Sequence, residues 1–202
     1  MESPSKVAAV RELRASAAGM AGTRFFEHRG EGLGGLSDEA AILLSKDGDS
    51  WAVLVTDSGA DMALEQYVQD VGHPGAGAVS SFSGVTRDNF GGRRVLKLEY
   101  EAYKPMAVKK LGQVCREAFE KWDLLKMVIA HRVGTVGVGE PSVVIVASSA
   151  HRRKALEATQ YAIDRLKAIV PVWKKEFYAD GEVWKENAEG QYLLHTPAPA
   201  PA

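Results

Sequence analysis

AHRRKALEATQYAIDRLKAIVPVWKKE, residues 150–176, decides the fold class and locates the chemistry. Ala155, Thr159, Ile163, Leu166 and Val170 recur at helical spacing and predict an amphipathic helix from about His151 to Ile169. Pro171 cannot continue that helix, and VWKKEFY (172–178) reads as a strand directly after it. Lys167 falls roughly 90° from the centre of the apolar face, so its stem is expected to be partly buried and its amine held at a rim. Past the break at Pro171, Lys174 is expected to return near Lys167. His151 and Arg152 stand at the helix mouth, where free N–H groups and the positive end of the dipole already favour an anion. Acids would be expected there for helix stability, so Arg152, Arg153 and Lys154 read either as an anion site or as a solvated helix start. Two lysines and an arginine converging on one spot would suit a phosphate-bearing substrate and leave an amine for chemistry.

Working outward, WAVLVT (51–56) reads as a buried strand and Ala60–Val71 as a helix with Leu64, Tyr67, Val68 and Val71 on one face. GAVSSFSGVTR (77–87) is a strand rich in small residues, followed by a turn at DNFGG (88–92). RVLKLEYEAY (94–103) alternates as a half-buried strand does. Pro105 suits the first turn of a helix running to about Trp122, and strands follow over 124–134 and 141–149. Strands alternating with helices, with several hairpin-like turns, predict an α+β fold with a mixed or antiparallel sheet. The folded domain is expected over 51–187. Residues 1–50 form an extension of unknown role, with a short helix at 6–18 and a Gly-rich loop at HRGEGLGGLSDE; 188–202 form a Pro/Ala-rich disordered tail.

The chain has 202 residues, 25 of them basic against 26 acidic, which argues against a generic polyanion binder, so any basic site must be local. No apolar run nears the roughly 20 residues that span a bilayer, and neither membrane nor nucleic acid is expected as a partner. The first residues lack the apolar block of a secretory signal, and Glu2 and Glu12 speak against a transit peptide, which makes the cytosol the expected location. A single cysteine, Cys115, gives no disulfide framework and no zinc constellation, and its neighbours Leu111, Val114 and Ala118 make it a core residue. No metal or resident cofactor is expected.

GTVGVGE (134–140) approaches a dinucleotide fingerprint, but Pro141 leads into an apolar strand and no helix opens to receive a pyrophosphate; a tight connection between strands is expected. His131 lies among apolar neighbours on a strand and reads as a satisfied structural histidine. Arg87 ends the strand whose Ser80, Ser81, Ser83 and Gly84 let a ligand approach the backbone.

Taken together, GAVSSFSGVTRDNFGG (77–92), LEYEAYKPMA (98–107), AHRVGTVGVGEPSVVIVASSAHR (130–152), IDRLKAIVPVWKKE (163–176) and DGEVWKEN (180–187) resemble the large, catalytic subunit of molybdopterin synthase, in its eukaryotic form. The resemblance implies an α/β hammerhead-type fold and a dimer binding a small ubiquitin-like sulfur carrier at each end, a heterotetramer in all. It also implies that the carrier's C-terminal Gly-Gly thiocarboxylate supplies two sulfurs to cyclic pyranopterin monophosphate, forming the molybdopterin dithiolene. By motif, Lys167 and Lys174 carry over as the catalytic lysines. Arg87, His151, Arg152, Lys175, Glu176 and Phe82 carry over as substrate-binding residues. Ile163 departs from the methionine of some bacterial members, which touches packing more than chemistry. Two rivals remain: a non-catalytic scaffold that binds the carrier, and an anion- or nucleotide-binding regulatory module.

Overall fold

The computed structural model describes residues 25–27, 41–45 and 50–185. The helix expected over 6–18, the Gly-rich loop and the Pro/Ala tail lie outside these residues.

One sheet has the order β1 (Phe25–Glu27), β2 (Ala41–Leu44), β3 (Trp51–Thr56), β7 (Leu124–Arg132), β9 (Pro141–Ser149) and β4 (Ala78–Val85). Only β3 and β7 run parallel; the other pairs are antiparallel, so the sheet is mixed as expected. β2 pairs with β3 from Ala41 opposite Val55 to Leu44 opposite Ala52, which carries the sheet upstream of residue 51. The second sheet has the order β11 (Gly181–Lys185), β10 (Val172–Tyr178), β6 (Arg93–Ala102) and β5 (Asn89–Phe90), with β8 (Gly134–Gly137) on β6. The architecture is α+β.

Among the described residues, three α-helices cover the first sheet. Helix α1 (Leu64–Asp70) packs on one face; α2 (Lys104–Lys121) and α3 (Arg152–Ile169) pack on the other. Alternation along β9 separates the layers: Val143, Ile145 and Ala147 face α2 and α3, while Val144 and Val146 face α1. Leu111, Met127, Ile129 and Ile145 are fully buried in the larger core, and each contributes about 1.5–3 kcal/mol of apolar burial. Cys115 is fully buried there too.

Two expectations are corrected. The helix expected over Ala60–Val71 is a single 3-10 turn, Gly59–Asp61, followed by α1, because Asp61 is buried and engaged by Thr56 Oγ1 at 2.6 Å. The connection expected at 134–140 contains β8. Gly134, at φ +74, turns the chain onto β6, where Val136 is buried opposite Leu98. A four-residue strand with two glycines has almost no alternation to read, and its pairing partner lies some forty residues away in sequence.

Candidate active site

The direction of the elements places the candidate residues. β4 runs antiparallel to β9, from Ala78 opposite Ser149 to Val85 opposite Pro141. Helix α3 leaves the end of β9 and folds back across the same sheet, so it runs alongside β4 in the same sense. Its N-terminus therefore lies near Ala78, and its C-terminus, with Lys167, lies at the end of β4 that leads to Arg87. Phe82 sits between them, half-buried on the face of β4 that meets α3, opposite Ile145.

Lys167 is half-buried in the last turn of α3. Its ammonium is destabilised first by burial and next by Lys174, with Asp164 opposing, so its pKa is lowered. The expected return of Lys174 toward Lys167 is thus what the chain does after Pro171. On β10, Lys174, Glu176 and Tyr178 share one face by strand alternation. Lys174 Nζ lies 3.1 Å from Glu176 Oε1, and Tyr178 Oη donates to Glu176 Oε2. Glu176 is only 3% exposed, so its carboxylate is turned to these protein donors. Lys175 points to the opposite face, where it pairs with Glu182 at 2.5 Å and lies near Phe177, away from Lys174.

Arg87 is exposed, its guanidinium 5.6 Å from the centroid of Phe90. Its backbone neighbour is held firmly. Thr86 N–H donates to the Glu140 carbonyl at 3.1 Å, and Gly139 N–H donates to the Thr86 carbonyl at 2.8 Å. The Glu140 carboxylate closes that turn by accepting from Gly137 N–H at 2.9 Å and from Arg132 Nη1 at 2.8 Å. Neither Glu140, Arg132 nor Tyr178 stood out in the sequence. Tyr178 could have been found from its position two residues past Glu176 on an alternating strand; the clamp on Thr86 joins segments far apart in the chain and left no local signal.

His151 and Arg152 are exposed at the other end of α3, and His151 is the N-cap residue with extended φ −129 and ψ 135. Fifteen residues of helix separate Arg152 from Lys167, roughly 22 Å at the standard rise. A single chain therefore brings together Lys167, Lys174 and Glu176, with Arg87 past the same end of β4 and Phe82 midway along it, but not His151 and Arg152. The positive helix mouth is partly neutralised by acids: Lys154 pairs with Asp123, and Arg153 with Glu157 at 2.7 Å.

His131 is the structural histidine expected. It is buried, its Nδ1 lies 2.9 Å from the Arg132 carbonyl, and its ring meets Tyr100 edge-on at 5.5 Å. Burial holds its pKa down at about 4. Among the described residues no group of three or more His, Cys, Asp or Glu side chains is arranged to hold a metal, and no helix is long and apolar enough to cross a membrane.

Fold and site together define an α+β protein whose half-buried Lys167 has its pKa lowered first by burial and next by Lys174. The MoaE protein family model matches residues 57–169, and the chain belongs to that family. It is 50% identical over 135 residues to the molybdopterin synthase catalytic subunit of Arabidopsis thaliana, covering 67% of this chain and 68% of the relative. To the human protein of the same name it is 47% identical over 128 residues, 63% of this chain and 68% of the relative. The crystal structure of molybdopterin synthase from Staphylococcus aureus superposes with a TM-score of 0.58 at 44% identity, covering 60% of this chain and 88% of that one.

Proposed function

We propose that this chain is the catalytic subunit of a molybdopterin synthase, a cytosolic sulfurtransferase. It takes sulfur from the C-terminal Gly-Gly thiocarboxylate of a small ubiquitin-like carrier and transfers two sulfurs to cyclic pyranopterin monophosphate. The observation that carries this reading is the lysine pair: Lys167, half-buried, has its ammonium further destabilised by Lys174. Either role open to Lys167, general base toward the pterin side chain or reaction at the thiocarboxylate carbonyl, needs a neutral amine, and a lowered pKa raises its fraction. Lys174 Nζ lies 3.1 Å from Oε1 of buried Glu176, and its ammonium would face the thiocarboxylate or phosphate.

Arg87, at the same end, would grip the phosphate with charge-assisted bonds of about 1.5–3 kcal/mol each. A Gly-Gly tail is thin enough to reach a recessed lysine, because neither residue carries a side chain. The distance between Lys167 and His151–Arg152 gives the homodimer a role: those two residues would serve the site of the partner protomer.

The test is reconstitution with thiocarboxylated carrier and cyclic pterin monophosphate, following dithiolene formation. Wild type should form product and Lys167→Ala should not. Carrier binding with no product from wild type would favour the scaffold; absence of carrier binding would favour the anion-binding module.

A further inference from the structure

Tyr178 closes β10 with a side chain 4% exposed, beside the 3% exposed Glu176. Its hydroxyl donates to Glu176 Oε2, while Lys174 Nζ lies 3.1 Å from Oε1, so the two carboxylate oxygens have different donors. The tyrosine ring is itself fixed. It packs in a small apolar cluster with Val95 and Leu98 of β6, and the Arg93 guanidinium stacks 3.8 Å from its centroid. Arg93 is in turn anchored to Asp180 at 2.8 Å. A carboxylate torsion is broad and roughly two-fold, so one ammonium partner leaves its plane poorly determined. A second donor on the other oxygen, mounted on a rigid ring, determines it.

We propose that Tyr178 is a positioning residue for sulfur transfer: its hydroxyl orients Glu176, and Glu176 holds the Lys174 ammonium beside Lys167. The inference rests on the reading of Lys167 and Lys174 as the lysines of the reacting site. The ring and the hydroxyl have separate duties, the ring packing the second sheet and the hydroxyl reaching Glu176. Tyr178→Phe keeps the first and removes the second.

The experiment is a double-mutant cycle in the assembled complex with thiocarboxylated carrier, using Tyr178→Phe, Glu176→Gln and both together, with Lys174→Ala alongside. Tyr178→Phe should lower kcat about tenfold, the scale of one charge-assisted hydrogen bond, and leave KM for the pterin within about twofold. On the Glu176→Gln background the same change should cost nothing more, because the hydroxyl acts through that carboxylate. A purely structural tyrosine would lose the same factor on either background, and additive losses would overturn the proposal. So would a wild-type kcat for Tyr178→Phe beside an impaired Lys174→Ala. A wild-type kcat for Lys174→Ala would instead bring down the lysine reading beneath it, and the two failures are told apart by that control.

Discussion

Arg165 of α3 grips Glu117 of α2 with two hydrogen bonds, Nε to Oε2 at 2.8 Å and Nη2 to Oε1 at 3.1 Å. Tyr161 Oη adds a third at 2.7 Å and Gln113 Nε2 a fourth at 2.8 Å. This bolt ties the two helices together two residues before Lys167, so it steadies the turn on which the site depends. Arg165, first among the causes, holds the Glu117 carboxyl down at about 2.

Because that pKa is depressed in the folded state, the stabilisation is present above the unfolded value of about 4.3 and is lost as pH falls toward 2. Glu117→Gln should therefore cost about 1 kcal/mol at pH 7, a modest figure because Arg165 is 34% exposed and screened. Between pH 4.5 and 2 its melting temperature should fall less steeply than that of wild type. Parallel curves in that window would show that the bolt does not contribute.

Asp164 raises the pKa of Lys167 against burial and Lys174. Asp164→Asn should lower that pKa further, so the neutral amine forms at lower pH. The rising limb of the kcat–pH profile of the complex should move to lower pH, with the plateau preserved. A limb that stays in place would mean that a group other than Lys167 sets it.

If His151 and Arg152 serve the neighbouring protomer, a mixed dimer of Lys167→Ala and Arg152→Ala chains has one site with both lesions and one with neither. Each parent dimer should be nearly inactive. The mixed dimer should recover about half the wild-type rate, one working site of two. Mixed dimers as inactive as their parents would place Lys167, His151 and Arg152 in one chain's site.

Burial raises the Cys115 thiol well above the ordinary range, which makes it a poor nucleophile. Cys115→Ala should leave sulfur transfer at the wild-type rate and cost about 1–2 kcal/mol of stability. An inactive but folded variant would show that the chain itself carries sulfur.

A Cβ on Gly84 would lie 2.7 Å from Val143 Cγ1 and 3.2 Å from Phe82 Cε1. Gly84→Ala should cost about 1–3 kcal/mol by overpacking, read by urea denaturation. Val143→Ala on that background should cost less than it does alone, because it removes the clashing methyl. Equal costs would locate the strain elsewhere.

The sequence by itself determined the elements whose burial pattern is local. The period of Ala155, Thr159, Ile163 and Leu166 marked α3, the alternation of 94–103 marked β6, and Pro171 marked the break that lets Lys174 return toward Lys167. The lysine pair was legible for the same reason, since seven residues and one turn separate its members. Only the tertiary structure decided which strands share a sheet, that Gly134–Gly137 is a strand, and that Glu140 clamps the residue before Arg87. It also decided that His151 and Arg152 stand a helix length from Lys167 and that Tyr178 shares Glu176 with Lys174. Periodicity records which face of an element is buried. Pairing, register and the direction in which a helix crosses a sheet arise between segments far apart in the chain, and no local spacing encodes them.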